Sequence, residues 1–369
     1  MRRKRIKRSS FDYQKLEDKV YLTVNATVTQ TGSLSVRGFA DGQVQINALG
    51  NQQFQITDNG ALVANVSGVR QNIAVRVNPS PLNDSLRINL FNETVDNVVV
   101  ELSDGNNDFQ INGNSPIMRV VYEGGSGQDT VAVNVDTTRI SSMVGREGSN
   151  TFTAQNNSRR FRYRGGPNAD LVTLGSSVNP GAIQAEFAGI IMGNGINRFE
   201  NYATITRNQY FRGGTGQDTV TSNDVNDTAS FVLGDGSNVL FLDGNYGRLF
   251  VRGGFNQDSV FFDSNSSVSQ RVGLLLVGGN DFVRVDGRIT TDFYFNSTDG
   301  ADQVLVTDSA LITGNFTSLL GANFNRFTHN GEIRGDLFVT STNASDNYRI
   351  NGVVLGDIIL RPGSQGGGG

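Results

Sequence analysis

The sequence predicts an all-β fold, a single right-handed parallel β-helix or β-solenoid with about 21 residues per coil. Three observations carry that prediction. An Asp or Asn recurs twelve times after a Gly- or polar-rich turn, at Asp108, Asp129, Asn150, Asp170, Asn197, Asp218, Asn238, Asp258, Asp281, Asp302, Asn325 and Asp346, in steps of 20 to 27 residues. After these slots the positions at +2 and +4 are mostly apolar, as in Val131 and Val133, Val172 and Leu174, or Val260 and Phe262, and a period of two marks a strand. Finally, 45 glycines against 6 prolines suit many short strands joined by turns that need positive φ or a local side-chain bond. A unit this short cannot bury an apolar face alone, so the units stack on one another.

Four segments follow in chain order. Residues 1–22 form a basic N-terminal targeting segment, 23–100 an N-terminal cap with irregular first coils, 101–350 the regular solenoid, and 351–369 the last strands with a flexible Gly-rich tail. All four lysines, Lys4, Lys7, Lys15 and Lys19, lie in the first 19 residues with Arg2, Arg3, Arg5 and Arg8, giving that head a net charge of +5. The remainder holds 23 arginines and 32 acidic residues, a net −9, which disfavours nucleic acid as a partner. The absence of cysteine removes disulfides and thiol chemistry. No run of about 18 apolar residues occurs, so no transmembrane helix is expected.

Phe11, Leu16, Glu17, Asp18, Lys19, Val20, Tyr21 and Leu22 follow the basic cluster. This pattern resembles the LEPR-XLL motif near the start of many large exported proteins of planctomycete bacteria, with Lys19 in place of Arg and Tyr21 in place of the first Leu of the final pair. The resemblance implies bacterial export to an extracellular or cell-surface location and carries no catalytic residue. The plainer reading of the same residues is a disordered basic arm touching nucleic acid or anionic lipid.

Within the body, YEGGSGQDTVAV, YRGGPNADLVTL, FRGGTGQDTVTS and VRGGFNQDSVFF place Asp at the slot, while MVGREGSNTFTA, IMGNGINRFEN and VLGDGSNVLFL place Asn there. The two versions alternate from Asp129 to Asp258. Because the slot shares a face with +2 and +4, its side chain is expected to point inward at the turn edge. Stacking would then line the slots into a ladder. Asn between two Asp residues relieves like-charge repulsion, its amide donating to the carboxylates above and below. The competing architecture treats each Gly-rich segment as a hairpin turn, with the double repeat making a meander, propeller blade or sandwich unit.

Two segments, GGSGQDTVA at 124–132 and GGTGQDTVT at 213–221, are similar to the calcium nonapeptide of RTX β-rolls, although they stand 89 residues apart rather than in tandem. That resemblance implies calcium at Asp129 and Asp218. Asp258, Asp281 and Asp302 fill three successive slots with no Asn between them, where a cation would relieve repulsion. A second candidate site is a row of Arg164, Arg212 and Arg252, six residues before every second slot, with Tyr163 and Phe211 beside the first two. Arginines spaced by two coils, roughly 10 Å, suit the repeating carboxylates or sulfates of an acidic polysaccharide, with the aromatics stacking on sugars; the plain alternative is a solvated face.

His329 is the only histidine, and no lysine follows Lys19, which removes multi-His metal and Schiff-base sites from the body. The sequence therefore points to a non-enzymatic structural or adhesive protein, which the N-terminal resemblance implies is exported or at the cell surface. A polysaccharide lyase or glycoside hydrolase on the same fold is the enzymatic alternative, and a calcium-dependent RTX-like module is a third.

Overall fold

A computed structural model describes residues 24–38, 42–77, 83–343 and 345–363. Residues 1–22, expected from the sequence to be a targeting segment, and the end of the Gly-rich tail lie outside the described residues. Within them the chain is strand and turn without helix, wound into stacked coils. One coil shows the plan. Asp129 leads into the short strand Thr130–Asn134, a corner follows, the long strand Thr137–Val144 returns, and a Gly-rich turn delivers the next slot, Asn150. Short strands form one sheet and long strands the other, each pairing in parallel with its equivalents one coil away. The hairpin-blade architecture is overturned, because antiparallel pairing is confined to the N-terminal end.

There, Val24–Val28 folds back on Leu34–Gly38, and Gly42–Gly50 carries the antiparallel strands Gln53–Asp58 and Ala61–Val66. These hairpins close the end of the rod, leaving Leu34, Val36, Phe54 and Ile56 fully buried. Beyond Gly42–Gly50 the short-strand sheet is parallel to its last strand, Asn347–Ile350. In the long-strand sheet, Ser267–Leu276 pairs with two shorter strands of the next coil, Arg288–Ile289 and Phe293–Ser297. Earlier long strands already carry a register shift at the equivalent place, between Ala185 and Phe187 and between Tyr246 and Arg248. A bulge bends a strand, and in the later coils that bend has become a corner.

The core lies between the two sheets. Inward residues form columns along the rod, such as Val131, Phe152, Val172 and Phe199 from short strands facing Tyr122, Met143, Tyr163 and Ile190 from long ones. All of these are buried, and each large side chain contributes roughly 1.5–3 kcal/mol on leaving water. Aromatics meet across the core, with Phe109 stacked on Tyr122 and Phe199 on Phe211 at 5.7 Å between centroids in both pairs.

The slots fix the register. As the alternation predicts, the slot side chains from Asp129 to Asn325 turn inward and are buried. In each coil the slot's backbone N–H donates to Oδ1 of the slot one coil on, from Asp84 to Asn107, Asn107 to Asp129 and so on to Asp346, at 2.8–3.2 Å throughout. Asp and Asn both carry Oδ1, so either residue makes this bond. The Asn amide does not donate in both directions, as the sequence suggested. It donates to the following carboxylate, Asn197 to Asp218 at 2.8 Å and Asn238 to Asp258 at 2.9 Å, and to carbonyls of its own turn, as Asn238 does to Gly236 at 2.9 Å.

One slot needs correction. The rung is Asn107 and not Asp108, because Phe109 and Ile111 face inward and parity puts Asn107 with them. Asp108 points outward and accepts from Arg87 at 3.0 Å. The turn glycines answer two needs. Gly148 has φ of 83°, and a Cβ there would lie 1.8 Å from the Gly127 carbonyl of the coil before. A Cβ on Gly165 would lie 2.0 Å from Asp170 Oδ2, so that glycine leaves room for the slot carboxylate.

Candidate functional site

Every Asp expected to ligate calcium is a ladder rung. Asp129 accepts from the Asn107 backbone and amide at 3.2 and 2.9 Å through Oδ1, while its Oδ2 is buried without a hydrogen-bond partner. The Tyr122 hydroxyl lies beside that carboxylate, outside hydrogen-bond geometry. Asp218 is held in the same way by Asn197. Burial pushes both carboxyls up to about 6, against the bonds from the neighbouring Asn. Asp258 is likewise pushed up to about 6 by burial, opposed by Asn238 and Gly254.

The uninterrupted run Asp258, Asp281, Asp302 stacks as expected, each N–H donating to the next carboxylate at 2.8 and 2.9 Å. Asp281 is pushed up to about 8, first by burial and then by the charges of Asp302 and Asp258, with the Asp258 N–H opposing. At neutral pH it therefore holds a proton most of the time. Burial also raises Asp302, whose Oδ2 accepts from the Ser297 hydroxyl. Protonation of Asp281 would relieve the repulsion predicted for this run. Among the described residues no three His, Cys, Asp or Glu side chains are grouped to hold a metal ion. His329 is buried in the core, its Nε2–H donating to the Val353 carbonyl at 3.3 Å, and burial lowers its pKa.

The arginine row is built as predicted in part. Arg164, Arg212 and Arg252 project outward in a single column of the long-strand sheet, separated by Ile191 and Val232 on the coils between. The stacking partners need correction, since Tyr163 and Phe211 are both fully buried. Period-two alternation sends them into the core when the arginines beside them face out. The outward aromatics stand two residues before Arg212 and Arg252, at Tyr210 and Phe250, and the same column continues to Tyr294. Ser230 and Gly273 occupy it on the intervening coils. Tyr210 and Tyr294 are 39% and 43% exposed, enough to offer a ring face to a ligand.

Charge on this face is segregated. The six long strands from Ser158–Arg164 to Ser267–Leu276 carry nine arginines and two acids, Glu186 and Asp227. Both acids are engaged, Glu186 by Arg159 and Arg207, Asp227 by Arg248. Among the described residues Arg160, Arg162, Arg164, Arg212, Arg252 and Arg271 have no carboxylate within salt-bridge distance. Arg271 lies over the Phe250 ring at 5.6 Å. A hollow of about 350 Å³ opens above Gly273, walled by Phe250 and Tyr294 with Arg252 and Arg271 on its two flanks.

Neither a protein-family model, nor a curated protein, nor a solved structure matches the chain. The resemblances to LEPR-XLL and RTX sequences gain no support from these comparisons.

Proposed function

We propose that this protein is a non-enzymatic β-solenoid, exported or displayed at the cell surface, with a structural or adhesive role in which its long-strand face binds acidic polysaccharide. The observation that carries this reading is the concentration of nine arginines against two acids on six adjacent strands of a body whose net charge is −9. Charge of one sign gathered on one face of a rod attracts a polymer of the other sign. Guanidinium groups left without carboxylates have their planar donors free for carboxylate or sulfate. Export is inferred from the basic N-terminal segment and its resemblance.

The enzymatic alternative draws little from the geometry. The buried carboxylates of the regular coils are committed to the ladder, and both acids on the arginine face are paired with arginine. The longest step, Asp170 to Asn197, is spent on the loop 175–183, GSSVNPGAI, which contains no titratable side chain. The test is incubation of the full chain with polygalacturonate and hyaluronan, following retention and chain length together. Retention without shortening supports a binding protein. Release of new chain ends would move the assignment to a lyase or hydrolase.

A further inference from the structure

The inference drawn here rests on that reading and specifies its ligand. Two features of the face share one period. Along the aromatic column, Tyr210, Phe250 and Tyr294 alternate with Ser230 and Gly273. In the neighbouring column Arg212 and Arg252 alternate with Val232 and Leu275. Aromatic and arginine fall on the same coils, so Tyr210 with Arg212 and Phe250 with Arg252 form repeated units, each an outward ring beside an outward guanidinium. The units recur every two coils, about 9.6 Å along the rod at the interstrand spacing. Between them the small residues leave gaps, and the hollow above Gly273 is one such gap.

We propose that the face binds a linear anionic glycan lengthwise, one disaccharide per two coils, with a sugar seated above Gly273 between Phe250 and Tyr294 and its anionic group on Arg252 or Arg271. An extended β-linked disaccharide covers nearly the two-coil distance. A glycan with one carboxylate per disaccharide presents its charges at the interval of the arginines. The apolar face of a sugar ring packs on Phe250 or Tyr294, whose rings offer large contact area at low entropic cost. The arginines on both flanks of the hollow accept the anion without first breaking an ion pair. Single-stranded nucleic acid also combines stacking with charge, but its successive bases stack at closer intervals than every second coil provides.

The experiment measures affinity of the full chain for sized hyaluronan oligosaccharides, with polygalacturonate, neutral dextran and oligo-dT as comparators. Affinity should rise in steps of one disaccharide and be highest for hyaluronan. Gly273→Val is the decisive variant. A Cβ at Gly273 meets nothing nearer than Phe250 Cδ1 at 3.5 Å, so a branched residue fits the strand while filling the hollow. It should keep or raise the melting temperature and weaken hyaluronan binding about tenfold, as should Arg252→Gln. Phe241→Ser, on the outer side of the short-strand sheet, should leave binding unchanged. If acidic glycans bind but Gly273→Val binds like the wild type, the lengthwise seat is wrong and the broader reading stands. If no acidic glycan binds, or oligo-dT binds more tightly, both fall.

Discussion

Asp281 illustrates how a single residue links the ladder to solution conditions. Its folded carboxyl sits at about 8, well above the roughly 3.9 of an unfolded Asp. Between those values the folded state holds a proton that the unfolded state has lost, so stability falls as pH rises from about 4 through 8. This is opposite in sign to the usual salt-bridged Asp. Asp129, Asp218 and Asp258, at about 6, act in the same direction over the lower part of that window. The protein is therefore expected to melt at a higher temperature at pH 5 than at pH 8.5. Asp281→Asn keeps Oδ1 for the Asp258 N–H and supplies an amide toward Asp302, as Asn238 does toward Asp258. Calorimetry should find that variant more stable than wild type at pH 8.5 and less dependent on pH; an unchanged or steeper dependence would contradict the assignment. The ladder was legible in the sequence because its residue is confined to Asp or Asn. The misplaced rung at Asp108 arose where two candidates are adjacent, and the inward parity of Phe109 resolves it.

At the scale of the coil, the Gly-rich turn is closed by protein atoms. Its Asn amides bond the turn carbonyls, and each slot Oδ1 is taken by an N–H of the preceding coil. Turns such as GGSGQDTVA therefore share a sequence pattern with calcium-loaded rolls while engaging Oδ1 of their carboxylates within the protein. Addition of calcium or of chelator should leave the circular dichroism and the melting temperature unchanged, and loss of β-signal in chelator would show that the turns need metal. The alternation of short strands was readable from period two, and so was their stacking. The partition into a short-strand and a long-strand sheet was less readable, because long strands such as Thr137–Val144 lack a marker residue and are interrupted by bulges. The same parity rule, carried across Arg164 and Arg212, would have moved Tyr163 and Phe211 into the core and found Tyr210 on the surface.

For the molecule as a whole, net charge is a poor guide to what the surface meets. The body averages −9, yet its acids are largely spread over the turns and the ladder while arginine concentrates on one sheet face. Composition alone could not show this, since segregation follows from which parity of each long strand faces out and from stacking those strands in register. That stacking also turns a period of two coils in sequence into a spatial period along a rigid rod. On the proposed reading this face recognises repeated negative charge. The most direct measurement is a calorimetric titration of the full chain with hyaluronan and with neutral dextran at low and raised salt, repeated for Arg212→Gln/Arg252→Gln. Binding is expected to hyaluronan alone, weakened by salt and reduced by a factor of about ten or more in the double variant. Salt-independent binding, or equal binding of the neutral polymer, would contradict it.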